Sequence, residues 1–245
     1  MKKRIIALLL LLVLVLTACT AATTEPTKSG KEPKEMDHES TAEYESAADH
    51  ESTEALPSIQ EPSREWKDLD IGSTDGNNYK NISLNLTCAF PDEWYLYNDT
   101  DIASLNNLSE DGFDHAAVAD AVENNQSVTI FCASLPITLS SVSISVTKNA
   151  LPDAEEAALV EASVPEIKTQ REQSGMMENV TCNTTEVDFC GQKHAALAIT
   201  GEAAGLTLYE TVLYLADGEY LYTVTVSSSL DSAVSEILSY FSAIE

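Results

Sequence analysis

Basic residues are scarce in this chain. Lys and Arg number 13 against 40 Asp and Glu, a formal net charge of −27. Nucleic-acid binders carry basic patches, so this balance argues against that class of partner. The same charge repels anionic headgroups and holds the body of the chain off a lipid surface. Histidine is scarcer still: there are 4, and beyond residue 65 only His115 and His194. No His-x-x-x-His or Cys-x-x-Cys spacing occurs, which removes the commonest zinc signatures. A Gly-x-Ser-x-Gly elbow and a Gly-rich phosphate loop are also missing. These absences set the expectation of a protein that is not an enzyme and carries no cofactor. A carboxylate pair converging in space, as an envelope hydrolase would need, leaves no mark in a sequence.

Long apolar runs are absent with one exception, the twelve residues Ile5 to Leu16. A bilayer-spanning helix takes about 20 residues. The run has instead the length of a signal-peptide core, with Lys2, Lys3 and Arg4 as its positive flank. It closes in Leu16-Thr17-Ala18-Cys19, which resembles the bacterial lipoprotein signal, in which a peptidase cuts before the Cys and the Cys carries lipid. The resemblance implies a signal peptide over 1–18 and lipidation of Cys19. It also implies a location at the cell membrane, lipid-anchored on the extracytoplasmic face. Each buried CH2 is worth about 0.8 kcal/mol, so two or three acyl chains anchor stably where one does not.

From Cys19 to residue 65 large aliphatic side chains nearly vanish, and Thr, Ser, Glu, Lys, Pro and Ala take over. Such a segment buries too little apolar surface to offset its ordering entropy and reads as a disordered acidic tether. It contains a near-repeat: Asp37-His38-Glu39-Ser40-Thr41 returns as Asp49-His50-Glu51-Ser52-Thr53. A His between carboxylates is a loose cation ligand at best in a flexible chain, and a duplicated solvating spacer is the simpler reading.

Residues 66–245 carry the patterns of a folded domain. Ile82, Leu84, Leu86, Cys88 and Phe90 alternate with small polar residues, which predicts a strand with one apolar face. A short helix is expected over 101–108. Further strands are expected at Val128 to Leu135 and around Val142, Ile144 and Val146. Asp153 and Glu156 stand at capping-box spacing before a helix that Pro165 should kink or restart. In Val180 to Phe189 the first apolar residues share one face and the last share the other, so a bulge near 183–185 is expected. Asp217-Gly218 predicts a tight hairpin placing Leu215 opposite Tyr220 and Leu213 opposite Tyr222. Finally Leu230, Ala233, Val234, Ile237, Leu238, Phe241 and Ile244 follow helical spacing. The order of elements gives an α+β class, an antiparallel sheet flanked by helices.

Tyr79-Lys80-Asn81 leading into a strand that ends Phe90-Pro91-Asp92-Glu93-Trp94 resembles the opening of PsbP/Mog-type domains, and the hairpin followed by a C-terminal helix resembles their close. The likeness covers about residues 76–245, mostly by element order. It implies a PsbP-like α/β/α sandwich with binding or assembly roles. The family has no shared catalytic set, so no catalytic residue is implied.

Cys88, Cys132, Cys182 and Cys190 allow two disulfides, one or none. If Cys182 and Cys190 lie along one strand, about 3.3 Å per residue holds them too far apart to pair. Trp94, Tyr95 and Tyr97 are the candidate binding surface, with closure of the core as the alternative for Trp94. His115, beside Asp111 and Asp114, is the weak candidate for a cation. The functional expectation is a noncatalytic, lipid-anchored module. It meets the membrane through lipid on Cys19 and binds an unknown protein or envelope partner. A carrier of small ligands or divalent cations and an envelope hydrolase are the rivals.

Overall fold

The computed structural model describes residues 69–109, 112–152, 154–175 and 177–244. The signal peptide, Cys19, the tether, Trp66, Asp111 and Asp153 lie outside the described residues. Among the described residues there are eleven strands and four α-helices, and each strand pair there is antiparallel. The α+β expectation holds, but there are two sheets rather than one.

The smaller sheet has four strands: β1 (Ser73–Asp75), β2 (Asn78–Asn81), β3 (Leu86–Ala89) and the C-terminal β11 (Phe241–Ala243). The larger has seven, in the order β4-β5-β6-β10-β9-β8-β7. These are β4 (Tyr95–Leu96), β5 (Val128–Leu135), β6 (Ser140–Lys148), β7 (Glu178–Phe189), β8 (Gln192–Ala203), β9 (Leu206–Asp217) and β10 (Tyr220–Ser228). The helices are α1 (Asp99–Leu105), α2 (His115–Glu123), α3 (Glu156–Gln173) and α4 (Asp231–Leu238).

One face of the large sheet meets the small sheet, α2 and α4 in the main core. Tyr79 stacks on Phe131 with ring centroids 4.4 Å apart, and Phe90, Phe189 and Phe241 extend the contact. Fully burying a side chain of this size stabilises the fold by about 1.5–3 kcal/mol. A register irregularity between Thr129 and Phe131 turns both Val128 and Phe131 toward this core. The opposite face carries α3, which packs on β7, β8 and β9. There Val160 meets Leu197, Ile199 and Val212 in a second, smaller cluster.

Several expectations change. The first strand is only Leu86–Ala89, and Ile82 is 73% exposed. Asp70 accounts for this: its carboxylate accepts from the Ile82 and Ser83 amides, while Asn81 accepts from the Leu84 amide, holding 82–85 as a turn. The first helix begins earlier, at Asp99, because Asn98 and Asp101 form the capping box. Helix α3 runs unbroken through Pro165 and starts behind Glu155 with no side-chain cap. Strand β7 keeps continuous register from Thr181 to Phe189, so no bulge lies at 183–185. Each face of β7 is covered only at one end: Val180 and Cys182 pack under α3, and Val187 and Phe189 in the main core. The irregularity falls instead between Glu178 and Thr181, where Asn179 has φ 54°.

The last hairpin turns on Gly218 and Glu219, so Tyr222 faces Leu215 and Val224 faces Leu213. Gly218 has φ 57° and Glu219 no positive φ, the pattern of a type II′ turn with Gly in first position. The C-terminal stripe also divides. Helix α4 ends at Leu238, and Phe241 enters the small sheet opposite Cys88. Leu230, at the N-cap, is half exposed. Cys88, Cys132, Cys182 and Cys190 are free thiols. Burial pushes Cys88 and Cys132 up to about 12.

Candidate functional site

The residues singled out beforehand do not converge. Trp94 is 5% exposed and packs on Phe90 and Tyr240, closing one end of the main core. Tyr95 and Tyr97 leave it and meet each other edge to face at 5.2 Å. Tyr95 is 50% exposed, and its hydroxyl donates to Asp101 Oδ2 at 2.6 Å. That hydrogen bond to the carboxylate pushes Tyr95 up to about 12. Asp101 also accepts from the Asn98 amide, so the exposed tyrosine braces the start of α1. His115 is the first residue of α2, whose N-cap Asp114 accepts from the Ala117 amide. The Asp114 carboxylate is therefore committed to the helix. His194 lies in β8 with Nδ1 3.1 Å from Glu156 Oε1, at the start of α3.

The site that does assemble was not singled out. It is a groove of about 390 Å3 between the flank of α3 and the large sheet. Its floor follows from alternation on two neighbouring strands. In β6, Val142, Ile144 and Val146 enter the main core, which turns Ser143, Ser145 and Thr147 to the other face. In β10, Tyr222, Val224 and Val226 do the same, which turns Leu221, Thr223 and Thr225 there. The register sets Thr223 beside Ser145 and Thr225 beside Ser143. One wall is α3, where Ser163, Glu166, Ile167 and Gln170 follow helical spacing on a single flank. Asn125 and Ser127 form the rim, while Val212 and Tyr214 of β9 complete the floor.

Arg171 lies at the groove and is held rigidly. It donates from Nε to Glu210 Oε2 at 3.0 Å and from Nη2 to Oε1 at 2.6 Å. Both side chains are buried, at 7% and 4% exposure. This bidentate pair ties α3 to β9 and cancels its own charge. The sequence did carry a signal for it: Glu210 is a lone carboxylate inside the apolar run from Leu208 to Leu215. A buried acid in such a strand needs a cation partner.

On the opposite side of α3, Ala157, Val160, Glu161, Thr184, Thr185, Glu186 and Ala195 border a more open hollow. Its lining includes two carboxylates and no aromatic ring; Trp94 and Tyr97 lie elsewhere. Among the described residues, no three His, Cys, Asp or Glu side chains cluster as metal ligands would. No helix among them is long and apolar enough to cross a membrane.

No family model matches the chain, and no curated protein matches it. The PsbP/Mog resemblance therefore rests on the Phe90 to Trp94 motif and the order of elements. Solved structures offer distant likenesses. A Pseudomonas aeruginosa protein of unknown function is 11% identical over 36% of this chain and 58% of its own, with a TM-score of 0.25. A Bacteroides thetaiotaomicron protein is 10% identical over 70% of this chain and 50% of its own, with a TM-score of 0.34. The chain thus spans only about half the length of either. LpqN of Mycobacterium tuberculosis, described as involved in cell envelope biogenesis, is 11% identical over 69% of this chain and 86% of its own, with a TM-score of 0.34. Likenesses this remote carry no argument about what the chain does.

Proposed function

We propose that this chain is a noncatalytic binding module, held by lipid on Cys19 at the extracytoplasmic face of a cell membrane, and that the groove beside α3 takes up an envelope component. The observation that carries the reading is the groove itself. Its floor is built from the strands of the central sheet, and the Arg171–Glu210 pair fixes the helix that walls it. Pre-built concavity of this kind keeps the cost of binding low. The reading as a binder also draws on the missing nucleophile and phosphate motifs. The contact of His194 with Glu156 lies outside the groove lining.

The anchor and the groove are tested separately. Cys19→Ala should abolish incorporation of a labelled fatty acid, and unchanged labelling would sink the lipoprotein reading. For the groove, a photo-crosslinking amino acid is placed at Thr223 in the full chain in its native cell, with a second copy carrying it at exposed Ile82. An envelope component captured from position 223 and not from 82 is the expected result. Identical capture from both positions, or none from 223, would remove the groove as the binding site.

A further inference from the structure

We infer that the ligand of this groove is an uncharged, polyhydroxylated chain, a short saccharide, recognised by a grid of side-chain hydroxyls. The inference rests on the groove being the binding site. Ser143, Ser145 and Thr147 stand at every second residue of β6, beside Leu221, Thr223 and Thr225 of β10. Such positions repeat about every 6.6 Å along a strand and about 4.8 Å between strands. Thr147 and Thr223 are partly exposed; Ser143 and Thr225 are buried beneath, and Ser145 Oγ shares a hydrogen bond with Thr129 Oγ1 at 3.3 Å. A hydroxyl both donates and accepts, so these positions impose no fixed polarity on a partner. Sugar hydroxyls have the same dual character.

Charge narrows the class further. An anion needs a cluster of cationic or N–H donors, and the cation in this lining, Arg171, is in a bidentate pair with Glu210. A polycation needs several carboxylates, and Glu166 alone adds a negative charge to the wall. Apolar surface alternates with the hydroxyls: Ile167, Val212, Tyr214 and Leu221 share the lining. A sugar ring has C–H faces and hydroxyl edges, and the lining offers a surface for each. The volume of about 390 Å3 falls toward the lower end of small-molecule sites, which suits a short chain.

The test uses the full chain in a detergent without a sugar headgroup. Titration calorimetry compares three neutral probes, chitotetraose, cellotetraose and maltotetraose, with poly(glycerol phosphate) and oligolysine. At least one neutral tetrasaccharide should bind, with affinity insensitive to salt. The double substitution Thr147→Val with Thr223→Val should weaken it by about tenfold or more, as expected for two lost hydrogen bonds. An unchanged thermal melt shows that this variant is folded. Thr223→Arg, which fills the groove, should abolish binding. If no neutral probe binds and a charged polymer does, with that binding lost in Thr223→Arg, the groove remains a binding site and the saccharide class falls. Saccharide binding that survives both variants would overturn the hydroxyl-grid proposal. Silence from all five probes also overturns the saccharide class, while the crosslink from position 223 decides the groove independently.

Discussion

The two faces of the seven-stranded sheet are held by different physics. One is covered by a second sheet and two helices and is packed with aromatic and aliphatic side chains. The other is covered over β7, β8 and β9 by a single helix, with a small apolar cluster and a buried ion pair. Apolar packing tolerates no gap without a cost in stability, whereas a helix fixed by a directional salt bridge stands beside a hydroxyl-lined groove. The first face makes the domain stable; the second holds the groove proposed as the binding site.

The largest effect should come from the packed face. Phe241→Ala removes a ring that meets Phe90 and Phe189 and is expected to cost about 3–5 kcal/mol in denaturant unfolding. A loss below 1 kcal/mol would mean that the small sheet contributes little to the core. On the helix face, Arg171→Met leaves Glu210 buried without its partner, and a loss of about 3–5 kcal/mol is expected. The double variant Arg171→Met with Glu210→Leu should recover most of it. Without recovery, the pair is worth more than its apolar replacement, and this face depends on a directional contact that the packed face does without.

Alkaline titration reads the packed face. Burial raises Cys88 to about 12 and raises Tyr222 as well, both in the main core. Unfolded thiols and phenols ionise near 9 and 10. The folded state therefore binds these protons more tightly. Its stability should be complete below about pH 9 and fall as pH rises through 9 to 12. Flat stability across that window would contradict the burial of these groups.

A smaller effect is expected at the sheet edge. Beyond the short strand β4, Asn106 takes the place of a neighbouring strand, donating to the Thr129 carbonyl at 2.8 Å and accepting from its amide at 2.8 Å. Asn106→Ala should cost about 1–3 kcal/mol, and hydrogen exchange at the Thr129 amide should quicken. Unchanged exchange would show that this edge needs no clamp. The smallest effect belongs to the groove: Thr223→Val should shift stability by no more than about 0.5 kcal/mol. A larger loss would move the groove from binding surface to structural core.

Much of the packed face was legible in the sequence, because alternation marks a buried strand directly. Strand β5 has the expected ends, and the alternation in β6 faces as read. The last hairpin slipped by two residues, which leaves every side chain on its expected face. A one-residue slip would have inverted it. Helix α2 went unread because Ala and Asp interrupt its apolar residues and an acidic, Gly-containing stretch precedes it. The C-terminal spacing was misleading for a different reason: Phe241 is buried by strand pairing, which sequence spacing alone does not separate from a helical stripe. The groove stayed hidden because its parts come from β6, α3, β9 and β10, over a hundred residues from Asn125 to Thr225. The β6 and β10 parts alone are ordinary alternations of Ser or Thr with apolar residues, and the α3 part is an ordinary mixed helix flank.

The amide clamp at Asn106 also makes the two rims of the large sheet unequal. On one rim a side chain occupies the hydrogen-bonding groups of β5 at Thr129. The other rim is β7, twelve residues long and largely exposed. A bare edge of that length is a template for a second copy of itself. Glu178, Glu186 and Asp188 stand along it, exposed, so two such edges meet as like charges. Two copies of the chain would therefore stay apart at this edge by repulsion rather than by steric cover, a protection that weakens as salt rises.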